Sequence, residues 1–203
     1  MMDRLNQYAR KLPTWVVYLV GALPAPWLFY QGLTGGLGVE PIKALEHEYG
    51  ELALQLLLAG LAITPLRRFA GLNLIKFRRA IGLLAFFYVA CHLLVWLVLD
   101  VQILSQIWAD ILKRPYITIG MVGFLLMLPL AVTSNNASVR RFGAAWRKLH
   151  RLTYAAVLLG AVHFVMLAKG FQIEPLVYLG LTVLLLGLRL PSVSRRGAAR
   201  RPA

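Results

Sequence analysis

The sequence predicts an all-α integral membrane protein, a six-helix transmembrane bundle with both termini cytoplasmic. Three observations predict it. The chain is 59% hydrophobic and only 15% charged, with a mean hydropathy of +0.67, a balance that belongs to lipid-embedded chains and not to soluble globular domains. Six apolar runs approach the roughly 20 residues needed to cross a hydrocarbon core of about 30 Å. They fall at about 14–33, 50–66, 80–99, 116–133, 151–170 and 175–190. The basic residues, finally, alternate between the connections in the way that fixes membrane topology.

Taken in order, the N-terminal tail 1–13 carries Arg4, Arg10 and Lys11. The run behind it imitates a signal peptide, but it is long, contains Gly21, Pro24 and Pro26, and lacks a small-x-small cleavage site. It reads as a first span that is retained. The turn-rich segment GGLGVEPIKALEHEYG, Gly35 to Gly50, is expected outside and carries Glu40, Glu46 and Glu48. ITPLRR closes the second span, and FRRAIGLL opens the third from the basic side. KRPY re-enters the membrane from outside as the fourth span begins. SNNASVRRFGAAWRKLHRLTY, Ser134 to Tyr154, is the longest connection on the basic side and leads into the fifth span. Residues 191–203 read as a basic cytoplasmic tail that is disordered and attracted to lipid. Connections are short throughout, so no soluble domain is expected between the spans.

Eighteen of the 22 Lys and Arg residues lie in four places. These are the N-tail, the second-to-third connection (Arg67, Arg68, Lys76, Arg78, Arg79), the fourth-to-fifth connection (Arg140, Arg141, Arg147, Lys148, Arg151) and the C-tail from Arg189. The other connections hold Lys43, Lys113, Arg114 and Lys169 with seven of the eight acids. Positive-inside asymmetry thus accounts for the net charge of +14, and nucleic-acid binding is not needed to explain it. Cys91 is the only cysteine, which excludes an intrachain disulfide and the Cys-x-x-Cys-His site of covalently attached haem. It reads as a small buried apolar residue.

Two of the four histidines lie inside spans, where an ionisable side chain marks a functional site by default. His92 is 13 residues beyond Arg79, and His163 is 12 beyond Arg151. At a rise of about 1.5 Å per residue both lie roughly 18–20 Å from the basic edge, on spans running in the same direction. Two imidazoles at one level on separate helices suit the axial ligation of a six-coordinate b-type haem iron. Such a centre has no open iron position and favours electron transfer over oxygen activation. A histidine bonded to a neighbouring carbonyl is the competing reading of each.

His150 sits at the basic mouth of the fifth span, 13 residues before His163. That spacing suits a second haem below the first, but it leaves the two rings about 140° apart on an ideal helix, and the third span offers no partner histidine. A ligating His150 therefore requires an irregular helix start or a different partner; the competing reading is an interfacial imidazole among snorkelling bases. His47, between Glu46 and Glu48, lacks a ligand set and reads as part of a solvated helix start. Arg78, Arg79, Arg147 and Arg151 suit haem propionates or a flavin phosphate, but satisfy the topology rule without either. Phe86, Phe87, Tyr88, Trp96 and Phe164 suit helix packing or lipid contact better than a macrocycle wall. Trp15, Trp27, Trp96 and Trp108 read as interfacial anchors near span ends.

The segments GGLGVEPIKALEHEYGELAL, LAITPLRR, RRAIGLLAFFYVACHLLVW, KRPYITIG, PLAVTSNNASVRRFGAAWRKLHRLTY and AVHF cover most of residues 35–170. In them the chain resembles the MsrQ (YedZ) family, the haem-binding membrane subunit of the periplasmic protein-methionine-sulfoxide reductase system. It is more distantly similar to the membrane domain of ferric reductases and NADPH oxidases. The resemblance implies a ferric reductase-like haem-binding membrane domain over 14–190 in the bacterial inner membrane, with His92, His150 and His163 matching the family's histidines. It implies one or two haem b groups, and FMN as a further cofactor, for which no local motif identifies residues. It also implies an electron-transfer subunit, not the catalytic one, of an oxidoreductase system that repairs oxidised periplasmic proteins. Electrons would come from the quinone pool or a cytosolic flavin reductase, and go to a periplasmic molybdenum methionine-sulfoxide reductase. The chain departs from the oxidase pattern in lacking the lower third-span histidine. It ends at Ala203 without a flavin or nucleotide domain, so unaided oxidation of NADPH is not expected.

The acidic outer segment with Glu40, Glu46 and Glu48 is the expected docking face for the periplasmic partner. Two other functions compete. A self-sufficient transmembrane ferric reductase would need no protein acceptor. A proton or metal transporter would use the histidines as a relay, but a relay steps through the membrane, whereas His92 and His163 are level.

Overall fold

The computed structural model describes residues 2–189, and the basic tail 191–203 lies outside them. The described residues are helical, with no strand among them. Five helices are long and apolar enough to cross a membrane: Thr14–Leu33, Pro41–Phe69, Ile75–Val101, Pro115–Val132 and Ala144–Leu167. The run expected at 175–190 is a shorter apolar helix, Ile173–Gly187, of 15 residues.

The N-terminal tail is ordered as an amphipathic helix, α1 (Met2–Lys11), with no buried residue. Asn6 ties it to the bundle, donating to the Gly71 carbonyl (3.0 Å) and accepting from the Asn73 amide (2.8 Å). The first long run is α2 (Thr14–Ala22) continued by α3 (Pro24–Leu33), jointed where Pro24 and Pro26 remove two backbone donors.

The next helix, α4 (Pro41–Phe69), has 29 residues and begins far earlier than the expected 50–66. Most of the segment expected as an outer loop is therefore helix. Pro41 at the first position supplies the starting dihedral, and Leu45, Tyr49, Ala53, Leu57 and Leu61 form a buried stripe at four-residue spacing. Amphipathic periodicity overrides the polar composition there. Near its other end Pro65 leaves the Leu61 carbonyl without its helical donor. Arg189, expected in the basic tail, fills that gap instead: its guanidinium donates to the Leu61 carbonyl (2.6 and 3.0 Å) and to that of Gly60 (3.1 Å).

A short 3₁₀ turn, Ile75–Phe77, leads into α5 (Arg78–Leu94). Beyond His92 this helix loosens into a π-helical stretch, Val95–Val101, and stops at Gln102 in the left-handed region (φ 60°). The amphipathic α6 (Leu104–Lys113) then precedes α7 (Pro115–Val132). On the basic side α8 (Asn136–Phe142) is capped by Asn135, whose side chain accepts from the Ser138 amide (2.8 Å). Next come α9 (Ala144–Leu149), α10 (Leu152–Leu167) and α11 (Ile173–Gly187).

The core joins α4, α5, α7 and α10 through Leu54, Leu57, Leu58, Leu61, Ala85, Met127, Ala156, Val157 and Ala161. Small residues at these contacts let helices approach closely, as membrane bundles require. A second cluster seats α3 on α4 and α5, where the Tyr49 hydroxyl donates to the Ala25 carbonyl (2.7 Å) and that of Tyr88 to the Gly21 carbonyl (2.7 Å). Outside this core large apolar side chains such as Leu19, Leu125, Val132 and Leu184 are exposed, which is costly in water and favourable in lipid. Trp15, Trp27 and Trp108 are exposed, as anchors should be, but Trp96 is only 7% exposed and is a packing residue. Cys91 is half-buried, not fully enclosed.

Candidate functional site

The imidazoles of His92 on α5 and His163 on α10 face a common space, with ring centres 6.1 Å apart and planes at 86°. Each is fixed by a backbone carbonyl of a neighbouring helix. His92 Nδ1 lies 2.8 Å from the Glu46 carbonyl of α4, and His163 Nδ1 lies 2.7 Å from the Tyr116 carbonyl of α7. A carbonyl only accepts, so each Nδ1 is the protonated nitrogen and donates. With the proton on Nδ1, the neutral form of each ring carries its lone pair on Nε2, the form in which histidine binds a metal.

The carbonyls are reachable for one local reason. In a helix the side chain at i+4 shields the carbonyl of residue i, and here that position is glycine both times: Gly50 after Glu46, Gly120 after Tyr116. A Cβ on Gly50 would meet His92 Nδ1 at 3.0 Å, and one on Gly120 would meet His163 Nδ1 at 2.9 Å. Sequence reasoning missed these two residues. The available signal was a glycine inside a helix, four positions after a residue level with an intramembrane histidine.

The pair fits a haem. Two imidazoles bound to one iron at about 2.0 Å through Nε2 have ring centres roughly 6 Å apart. Among the described residues no group of three or more His, Cys, Asp or Glu side chains is placed to hold a bare metal ion. A porphyrin supplies four equatorial nitrogens itself and asks only two axial ligands of the protein. Carbonyl bonding, offered above as a competing reading, belongs to the same geometry: it occupies the other nitrogen.

His150 does not join this pair. It lies in the break between α9 and α10, an irregular helix start of the kind named above as one of two conditions for its ligation. Its ring stacks on Trp146 (3.8 Å between centres, 26° between planes), and its Nε2 is 3.1 Å from the Thr133 hydroxyl. That hydroxyl donates to the Pro129 carbonyl (2.6 Å), so it accepts from His150 and the proton sits on Nε2. Nδ1 is the nitrogen left for a ligand, the reverse of the other two histidines.

His47 is exposed on α4, with Nδ1 4.0 Å from a Glu51 carboxylate oxygen and its ring edge-on to Phe164 (5.4 Å). Glu51 accepts from Gln55 and from the Tyr178 hydroxyl, both at 2.8 Å, a polar cluster that sequence reasoning did not single out. Phe86 stacks on Phe124 at 5.9 Å and Tyr88 is buried, so both pack helices. Of the four arginines weighed for anionic groups, Arg79 donates to the Asn136 side chain (2.7 Å), while Arg78, Arg147 and Arg151 are exposed.

Comparison with known proteins gives the chain its relatives. The family described as "Ferric reductase like transmembrane component" matches residues 48–161, a stretch that holds Gly50, His92, Gly120 and His150 and stops just before His163. Proteins named "Protein-methionine-sulfoxide reductase heme-binding subunit MsrQ" match nearly the whole chain. That of Agrobacterium fabrum is 48% identical over 193 residues, covering 93% of this chain and 90% of the relative. Those of Brucella anthropi and Brucella ovis are 44% and 46% identical over 191 residues, each covering 93% of this chain and 87% of the relative. No solved structure matches the chain.

Proposed function

Since this chain belongs to the MsrQ family of haem-binding subunits and is a multi-pass membrane protein with a ferric reductase-like component, we propose that it carries electrons across the bacterial inner membrane to a periplasmic methionine-sulfoxide reductase. The single observation that supports this most is the 6.1 Å separation of two imidazoles whose Nδ1 atoms are both occupied. His92 and His163 would hold haem b between α5 and α10. When bound, haem b supplies an iron that cycles between its ferric and ferrous states one electron at a time. The residues of this chain do the remaining work. Glu46 and Tyr116 hold the rings in one tautomer, Gly50 and Gly120 leave room for them, and the aliphatic wall of α4 and α10 keeps water out.

His150, with Nδ1 free, is the residue for a second centre near the basic face, where electrons enter from the quinone pool or a cytosolic flavin reductase. FMN is proposed as a further cofactor on family grounds, without assigned residues. The acceptor is a periplasmic molybdenum enzyme docking on the acidic end, where Glu40 and Glu48 are exposed. Orientation follows the charge: α11 as a sixth span puts both termini in the cytoplasm with the basic connections. The domain is then 14–190, flanked by cytoplasmic segments 1–13 and 191–203.

The test is a reduced-minus-oxidised absorption spectrum, with haem quantified per polypeptide, in wild type and in His92→Ala, His150→Ala and His163→Ala. A low-spin b-type spectrum that is lost in His92→Ala and His163→Ala is the expected result. Purified protein without reducible haem overturns the proposal. The ferric-reductase likeness supports one second reading, direct reduction of external iron complexes. Parallel assays with ferric chelates and with the periplasmic reductase separate the two.

A further inference from the structure

At the basic end of the bundle a cavity of about 220 Å³ is lined by Thr14, Tyr18, Lys76, Arg79 and Ala80, several times a water's share of about 30 Å³. We propose that it binds the phosphate of an anionic phospholipid headgroup. Neither of its two cations bonds to an acid: Lys76 Nζ donates to the Arg10 carbonyl (2.6 Å) and Arg79 to the Asn136 amide oxygen (2.7 Å). The ion pairs among the described residues, Lys43–Glu40 and Arg114–Asp110, both lie toward the other end. Of the eight acids only Asp3 falls in the basic segments, so the protein offers this cavity almost no anion of its own.

The opposite wall supplies hydrogen-bond donors. Thr14 opens α2 after Pro13 with no side chain capping the helix, which leaves its hydroxyl and the first amides of the turn available. Tyr18 stands one turn further along the same face. Two cations and hydroxyl donors converging on one space are the chemistry of a phosphate site.

A lipid is favoured over a soluble phosphate by where the cavity opens. It lies between α2 and the start of α5, and Thr14–Leu33 is the least buried of the five long apolar helices. Trp15, Leu19 and, at the end of α2, Leu23 continue as an exposed apolar wall, a surface for acyl chains and not for a water-soluble anion. A headgroup here ties α2 to α5, the helix that carries His92.

The test uses full-length protein purified in mild detergent and reconstituted into nanodiscs of phosphatidylcholine with or without phosphatidylglycerol. Bound lipid is counted by native mass spectrometry after re-extraction. Retention of phosphatidylglycerol is expected, with each of Lys76→Gln and Arg79→Gln lowering it about fivefold, the effect of one cation at a lipid surface. Arg68→Gln, an exposed cation of the same end that lies over Phe69 and outside the cavity, should leave retention unchanged. All three variants keep the wild-type absorption spectrum if they fold. Equal loss in Arg68→Gln overturns the site in favour of diffuse surface charge. Retention unaffected in both cavity variants overturns it outright. Displacement of the lipid by millimolar inorganic phosphate or by FMN assigns the cavity to a soluble ligand and overturns the lipid reading.

Discussion

A hydrogen atom where a methyl would stand decides the position of each imidazole in the central pair. Alanine at Gly50 or Gly120 would bring a Cβ to 3.0 or 2.9 Å from a histidine Nδ1, closer than such contacts normally come, and the ring must give way. Both substitutions improve helix propensity, so the fold persists while the ligand moves. Gly50→Ala and Gly120→Ala are each expected to weaken haem retention roughly 10- to 100-fold, the usual effect of disturbing a ligand's support, measured by titrating apoprotein with hemin. At the basic mouth, Thr133→Val removes the acceptor of His150 Nε2 and should cost about 1 kcal/mol in unfolding measurements, with the haem at His92 and His163 unaffected. That His92 and His163 come together was legible because counting along two parallel helices from the basic edge puts both at one depth. The glycines were not, since in sequence a helical glycine is indistinguishable from one that merely lets two backbones pack.

At the level of the helix, Pro65 and Arg189 form a complementary pair. The proline takes a donor from the Leu61 carbonyl, and the Arg189 guanidinium, just past the end of α11, returns it. Arg189→Ala should therefore lower stability by about 1–3 kcal/mol, the cost of an orphaned buried carbonyl. Adding Pro65→Ala restores an internal donor, so the double variant is expected to recover most of the loss in thermal unfolding of the detergent-solubilised protein. Additive losses would show that the two residues act separately. This pairing was invisible in sequence, where Arg189 merged with the basic tail that follows it. The early start of α4 was hidden differently. Glu46, His47 and Glu48 dominate the composition of its first turns, and they masked the stripe of Leu45, Tyr49 and Ala53 that decides the structure. The break before α10 was named in sequence only as one of two conditions under which His150 could ligate, since the 140° between His150 and His163 on an unbroken helix does not by itself require one.

For the molecule as a whole, one sign of charge gathers at one end of an apolar bundle, and this made fold class and depth readable together. Counting from Arg79 and Arg151 brought His92 and His163 to a common level, and their ring centres lie 6.1 Å apart. The number of crossings was harder to read, because α11 has 15 residues against the roughly 20 of a full span. Reporter fusions after Lys11 and at the C-terminus should both be active in the cytoplasm if α11 crosses. A C-terminal reporter active only in the periplasm would leave five spans.

The near-right angle between the two imidazole planes has a magnetic consequence. If the pair holds a haem iron as proposed, each ring would mix its π system with one iron d orbital, and rings at 86° would treat two such orbitals alike and leave them almost degenerate. The unpaired electron of a ferric haem there would then retain much of its orbital motion. Low-temperature paramagnetic resonance should show a single, strongly anisotropic low-spin feature at low field, whereas coplanar rings would give a three-line rhombic spectrum.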